Sequence, residues 1–262
     1  HMDTPTNIQT LTKAGKVKTI LVSQPSPSIE NSPYFQIIDK RKVNIDFRPF
    51  IHVEGVSSRE VRLQKIDITK FSSIILTSRN AVDHFFRLAE ELRYPIPSTL
   101  RYFCQSEAVA YYLQKYVVYR KRKIYVGKRT IDDLLNELVK FNDEKFLLPC
   151  SDVLKPSIPV KLDSININWT KGVFYKTVIS DLSDLRNVYY DILVFFSPSG
   201  IESLFHNFND FEQKDTRIAV FGNSTKKAAL SRKLRVDIMV PTTENPSMTK
   251  ALDDYIEKVN KR

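Results

Sequence analysis

Leu193-Val194-Phe195-Phe196-Ser197-Pro198-Ser199-Gly200-Ile201-Glu202-Ser203-Leu204 is the stretch whose reading decides the fold. Four apolar residues with a β preference run into Ser-Pro-Ser-Gly, and Ile201, Leu204, Phe205 and Phe208 then recur at helical spacing. The stretch therefore reads as a buried strand turning sharply into a helix. In a parallel α/β sheet such turns sit at the carboxyl ends of the strands, where ligands bind, and the helix start presents unpaired N–H groups and a positive dipole end. Ser197, Ser199 and Gly200 are expected to form a hydroxyl-rich cradle for an anionic group.

The same unit recurs on both sides of this stretch. Upstream, Thr19-Ile20-Leu21-Val22-Ser23 reads as a strand, with Tyr34, Phe35, Ile37 and Ile38 on a helix after a Pro-rich turn; Val43 to Val53 is extended and broken by Pro49. Ser73 to Leu76 runs into Thr77-Ser78-Arg79-Asn80, and Ala81, Val82, Phe85, Phe86, Ala89 and Leu92 follow at helical spacing; Ser78 and Asn80 are good helix-capping types. Further units begin at Arg101 to Ser106, before an Ala108 to Leu113 helix, and at Ile124 to Gly127. Phe146 to Asp152 starts another, in which Pro156 and Pro159 predict a short or irregular segment to Leu162, because proline removes a donor and clashes inside a helix. Ile165 to Val178 is extended. Downstream, Arg217 to Thr225 leads into a Lys226 to Leu234 helix, Asp237 to Val240 is a strand, and the final helix carries Met248, Ala251, Leu252, Tyr255, Ile256 and Val259 on one face behind Asn245 or Ser247.

These strand ends form two series of roughly 20 to 28 residue spacing. Thr77-Ser78, Ser106, Gly127 and Ser151 end one, and Ser197-Ser199, Ser224 and Thr242-Thr243 end the other. The second is one strand short, and the Thr19 to Ser23 unit is its natural missing member. Two similar α/β domains are expected, joined by two crossing segments near Arg48 to Val53 and Val173 to Ser180, with parallel sheets covered by helices on both faces.

Composition narrows the function. The 262 residues are 42% hydrophobic and 27% charged, enough to bury a sizeable core. No apolar run approaches the roughly 20 residues needed to span a bilayer, and His1 before Met2 looks like an expression scar, so no secretory segment is read. Cys104 and Cys150 are the only cysteines, which fits a reducing compartment and a cytoplasmic location. A net charge of +10 favours an anionic partner without naming it. The densest basic run is Arg120-Lys121-Arg122-Lys123 with Lys128 and Arg129; a solvated surface is its plain reading, and only Tyr119 and Tyr125 interleave it, a weak basis for nucleic-acid binding. With 6 glycines, none forms a nucleotide-type phosphate loop. His52, His84 and His206 are scattered without metal-ligand spacing, and His84, beside Phe85 on a helix, reads as surface. Cys150 ends a strand with no base near it in sequence, so it reads as a packed thiol.

Four signatures, in order along nearly the whole chain, carry a family resemblance: Ile75-Leu76-Thr77-Ser78-x-Asn80-Ala81-Val82, Val173-Phe174-Tyr175-Lys176-Thr177-Val178, Val194-Phe195-Phe196-Ser197-Pro198-Ser199-Gly200-Ile201 and Val220-x-Gly222-Asn223-Ser224-Thr225. Together they resemble uroporphyrinogen-III synthase. The resemblance implies two flavodoxin-like domains with parallel sheets, residues 1–50 plus 180–262 and residues 51–179, a two-stranded linker and a cleft between them. It implies a monomeric lyase of tetrapyrrole and heme biosynthesis, with no cofactor and no metal, acting on the polycarboxylate hydroxymethylbilane and on neither nucleic acid nor membrane. Cyclisation to uroporphyrinogen III would lose water and invert ring D through a spirocyclic intermediate. An acid must help the ring A hydroxyl leave, and positioning and electrostatics carry the rest of the rate.

By the same resemblance Tyr175 takes the place of the tyrosine that assists departure of the hydroxyl, and Thr77, Ser78, Asn80, Ser106, Ser151, Ser197, Ser199, Gly200, Ser224 and Thr225 fall on turns that receive substrate carboxylates. For each serine, threonine and asparagine a helix cap without a ligand is the alternative, and for Tyr175 a packed aromatic with a satisfied hydroxyl. Where the family has Val-Gly-x-x-Thr-Ala, this chain has Phe103-Cys104-Gln105-Ser106-Glu107-Ala108-Val109, which lacks the glycine, places Ala108 at the threonine and adds Glu107. A non-catalytic protein binding a polyanion or tetrapyrrole on the same scaffold is the competing reading.

Overall fold

The computed structural model describes residues 15–118 and 123–261, so Arg120, Lys121 and Arg122 of the basic run lie outside the described residues. The chain divides into two compact units, one formed by the described residues up to His52 and from Ile179 onward, the other by Val53–Val178.

The first unit is built on β1 (Thr19–Val22), β2 (Asn44–Phe47), β9 (Ile192–Phe195), β10 (Arg217–Phe221) and β11 (Ile238–Val240), in the order β11-β10-β9-β1-β2. Every pair is parallel, and the N-terminal strand sits inside the sheet, with Ile20 opposite Ile192 on one side and Ile45 on the other. Successive strand residues point to opposite faces. Ile20, Val22, Ile192 and Val194 pack under α1 (Pro33–Arg41) and α9 (Met248–Asn260), meeting Ile37, Leu252 and Ile256. Leu21, Leu193, Phe195, Ile218 and Val220 pack under α7 (Pro198–Asn207) and α8 (Asn223–Ser231), meeting Ile201, Leu204 and Ala229. Each such side chain removed from water contributes about 1.5–3 kcal/mol, which is why a parallel sheet apolar on both faces needs helices on both.

The second unit repeats the plan with β3 (Ile51–Gly55), β4 (Ser73–Leu76), β5 (Arg101–Cys104), β6 (Ile124–Val126), β7 (Lys145–Ser151) and β8 (Asn168–Ile179), ordered β3-β8-β7-β4-β5-β6. The pairs from β8 through β6 are parallel. Ile74, Leu76, Tyr102 and Leu147 form one core with Val82 and Phe85 of α3 (Arg79–Glu91) and with α4 (Glu107–Leu113). Ile75, Phe103, Phe146 and Leu148 form the other with α5 (Asp132–Val139) and α6 (Ser157–Ser164). A short α2 (Ser58–Leu63) follows β3.

The segment after β7 is short, as one of the two alternatives had it, but helical: α6 accommodates its prolines because Pro156 stands at the cap and Pro159 in the first turn. The N–H groups of a first turn have no helical partner to lose. The helix after β10 starts at Asn223 rather than Lys226 and ends at Ser231, with Lys233 at φ 62° in the left-handed region beyond it.

Candidate functional site

In the second unit the cluster around Tyr175 is assembled by an irregularity. The register along β7 and β8 pairs Cys150 with Val173 but Ser151 with Tyr175, leaving Phe174 as an extra residue. A bulge of this kind re-aims side chains. Its consequence is that Phe174 and Tyr175, consecutive in sequence, both join the core beneath α3. The Tyr175 hydroxyl lies 3.1 Å from Ser78 Oγ, and Ser78, the N-cap of α3, also accepts from the Ala81 amide at 3.1 Å. Burial raises the Tyr175 pKa above its ordinary value, and the Ser78 hydrogen bond opposes that in part. The phenol is therefore protonated at neutral pH and able to donate.

Sequence reasoning missed the third member of this cluster. His84 is half-buried, not a surface residue, and its ring stacks on Tyr175 with centroids 5.2 Å apart and planes 21° apart. Arg87 Nε donates to His84 Nδ1 at 3.0 Å. Burial, and then the Arg87 charge, hold the His84 pKa below the ordinary imidazole value, against smaller upward effects of Asp83 and Glu91. No periodicity marks this residue, since the bulge that brings Tyr175 to it is invisible in sequence. Of the other candidates on this turn, Thr77 is half-buried, and Asn80 is an exposed residue within the first turn of α3, the cap being Ser78.

In the first unit Ser197 caps α7, its Oγ accepting from the Gly200 amide at 3.2 Å. Such a hydroxyl keeps its own proton free to donate outward. Gly200 is buried and closely set: an added Cβ would lie 3.3 Å from Phe195 Cδ1, 3.7 Å from Ser197 Oγ and 4.0 Å from Ser23 Oγ. Ser23, at the end of β1, thus stands beside the Ser197 turn, and the missed signal is the hydroxyl that ends the Thr19 to Ser23 strand. Ser199 is half-buried within the first turn of α7.

The neighbouring turn, after β10, differs in kind. Its N-cap is Gly222, at φ 91° and ψ 153°, and no side chain caps α8. Serines cap α1, α2, α3, α4, α7 and α9. Ser224 is exposed, whereas Thr225 is 1% exposed and its Oγ1 has no hydrogen-bond partner among the described residues. A buried hydroxyl left unpaired costs about 1–3 kcal/mol, and here it stands in the first turn of a helix whose dipole attracts an anion.

Other strand ends are filled from within. After β6, the Asp133 carboxylate accepts from the amides of Arg129 at 2.8 Å and Thr130 at 3.2 Å. After β7, Ser151 Oγ donates to Asp152 Oδ1 at 2.9 Å, and the same oxygen accepts from the Thr177 amide at 3.1 Å. Ser106 caps α4 by accepting from the Val109 amide at 3.3 Å, with Glu107 exposed beside it. Burial pushes the Cys104 thiol up to about 12 and the Cys150 thiol up to about 11, so neither is a thiolate at neutral pH. Among the described residues no group of His, Cys, Asp or Glu side chains could hold a metal ion, and no helix is long and apolar enough to cross a membrane.

The family model for uroporphyrinogen-III synthase HemD matches residues 33–250, well over half of the chain. The uroporphyrinogen-III synthase of Chlorobaculum parvum is 23% identical over 270 residues, covering 92% of this chain and 100% of that protein. Among solved structures, uroporphyrinogen-III synthetase from Helicobacter pylori superposes with a TM-score of 0.59 at 18% identity, over 92% of this chain and 99% of that one. A mutant uroporphyrinogen III synthase from the extremely thermophilic bacterium Thermus thermophilus does so with a TM-score of 0.55 at 14% identity, over 94% of this chain and 100% of that one. The two structural likenesses establish a common α/β fold.

Proposed function

The chain belongs to the uroporphyrinogen-III synthase family, and from that premise we propose that it is a lyase of tetrapyrrole biosynthesis that closes hydroxymethylbilane to uroporphyrinogen III, losing water and inverting ring D. The observation that carries the reading is the Tyr175 phenol, kept protonated by burial and seated 3.1 Å from Ser78 at the start of α3. If Ser78 donates its proton to the phenolic oxygen, the phenol proton is free to reach the departing ring A hydroxyl, which leaves as water. General-acid assistance of this kind contributes typically about 10²–10⁴-fold.

Substrate carboxylates then bind where amides and hydroxyls lack an internal anion. The Ser197 turn offers a hydroxyl proton, whereas the Ser78 proton is committed to the Tyr175 oxygen. The start of α8 offers uncapped amides and the unpaired Thr225 hydroxyl. Ser151 serves less well, because its proton already goes to Asp152. No step calls for a cofactor: the reaction needs an acid at the leaving hydroxyl and a grip on the side chains that forces ring D to react at its substituted carbon.

The deciding experiment couples the purified protein to hydroxymethylbilane synthase and resolves the product isomers by chromatography. Conversion to the III isomer is expected; if only the I isomer accumulates, the chain is not acting as the cyclase.

A further inference from the structure

His84 and Arg87 have no part in the reaction proposed above, yet they are built around its acid. Arg87 spends its guanidinium on structure: Nη2 donates to the carbonyls of Val56 at 2.8 Å and Phe174 at 3.1 Å, and Nη1 pairs with Glu91. Its placement is tight, since a Cβ on Gly55 would lie 2.8 Å from Arg87 Cζ. Its Nε–H goes to His84 Nδ1 at 3.0 Å. A guanidinium cannot give up its proton at accessible pH, so Nδ1 must be the acceptor, and the neutral imidazole carries its proton on Nε2. Protonation at Nδ1 would set a donor against a donor and a cation against a cation. The ring is thereby fixed in both orientation and charge.

Against this fixed ring lies the Tyr175 phenol, 5.2 Å away between centroids, with its hydroxyl on Ser78. The phenol is packed in the core beneath α3 and held at its hydroxyl, and the imidazole lies along one of its faces, so loss of that ring would open space into which the phenol could turn. We propose that His84 is a positioning residue for Tyr175, its imidazole serving as a neutral wall, held by Arg87, that keeps the phenol on Ser78 and aimed at the leaving hydroxyl. This rests on Tyr175 acting as the acid. A neutral wall also suits a donor that must keep its proton, since a histidine cation there would favour the phenolate.

Two variants separate the wall from its anchor. His84→Asn keeps an acceptor for Arg87 but has no ring, and His84→Phe keeps a ring but no acceptor. For the cyclisation, His84→Asn is expected to lower kcat about tenfold with KM within twofold of the parent, while His84→Phe retains at least half of kcat. In the Tyr175→Phe background, His84→Asn should have no further effect, because the proton it helps to aim is gone. Full kcat in His84→Asn overturns the proposal, as does an equal additional loss in the Tyr175→Phe background. If His84→Asn were normal and His84→Phe inactive, the acceptor and not the wall would matter, again overturning it. Tyr175→Phe alone distinguishes the underlying reading: if it leaves kcat intact, Tyr175 is not the acid and the inference falls with that assignment, whereas a large loss in Tyr175→Phe with a normal His84→Asn refutes only the wall.

Discussion

The turns after β6 and β10 are built alike and end differently. Each has a glycine directly after a parallel strand, then a helix with no side-chain cap on its N-cap position. After β6 the chain turns an acid of its own back onto the loop, and Asp133 takes the amides of Arg129 and Thr130. After β10 the first helical residues are Asn223, Ser224 and Thr225; among the described residues no side chain caps this helix, and the Thr225 hydroxyl is buried without a partner. The strand-turn-helix plan alone therefore does not make an anion receptor. On the proposed reading, amides and hydroxyls receive the substrate where the chain withholds its own anion, and Gly222, at φ 91° with nothing within 4 Å of an added Cβ, keeps the approach open.

The sharpest way to break this contrast is to give the β10 turn the acid it lacks. Asn223→Asp places a carboxylate at the first, exposed residue of α8. A negative charge there should steady the helix by about 0.3–1 kcal/mol through its dipole. The same charge should repel the substrate carboxylate and raise KM at least about tenfold, roughly 1.4 kcal/mol. A more stable protein that binds less well is a signature no simple loss of structure produces, and steady-state kinetics beside thermal melts would show it; an unchanged KM would remove the β10 turn from the binding surface.

A smaller effect is expected from Thr225→Val. The hydroxyl has no internal partner, so its replacement by a methyl of the same shape should leave the melting temperature unchanged or slightly higher. KM should still rise about fivefold if the substrate is the missing partner. A fall in melting temperature would mean that the hydroxyl is satisfied within the protein. Smaller again is Ser197→Ala, which removes the α7 cap: about 1 kcal/mol of stability is expected to go, measured by denaturant unfolding, with KM up about threefold because one hydroxyl donor among several is lost.

Much of this architecture was legible beforehand. Ile74, Ile75 and Leu76, or Val194 and Phe195, are apolar on consecutive positions because both faces of their sheets are covered, and that pattern with a serine turn behind it reads directly as a strand-turn-helix unit. Serine caps such as Ser78, Ser106 and Ser197 were equally visible, being local chemistry. What was hidden depends on one-residue geometry or on distant partners. Phe174 and Tyr175 share a core only because of the extra residue in β8, and that shift brings Tyr175 to a histidine 91 positions earlier in the chain (175 − 84). Pro159 looked like a helix breaker because its distance from the helix start, which decides whether an N–H is missed, was not readable. Nor did composition reveal that Asp133 and Asp152 fold back into their own turns, which is what sorts receptive strand ends from filled ones.

The filled turn yields the smallest effect and the strictest control. The amides of Arg129 and Thr130 hold the Asp133 pKa below the ordinary carboxylate value. A carboxylate whose folded pKa is depressed contributes stability that is complete above its unfolded pKa of about 3.9 and is lost as pH falls through the lower folded value. Asp133→Asn should therefore remove part of the acid dependence of unfolding below about pH 4, seen in melts across an acid series, while the KM for hydroxymethylbilane at neutral pH stays within twofold of the parent. The contrast depends on that separation. If Asp133→Asn instead tightened substrate binding, emptying the β6 turn would have created a receptor, and the withheld anion would be sufficient as well as necessary; if it weakened binding, the β6 turn would belong to the site, and the division between filled and open strand ends would fail.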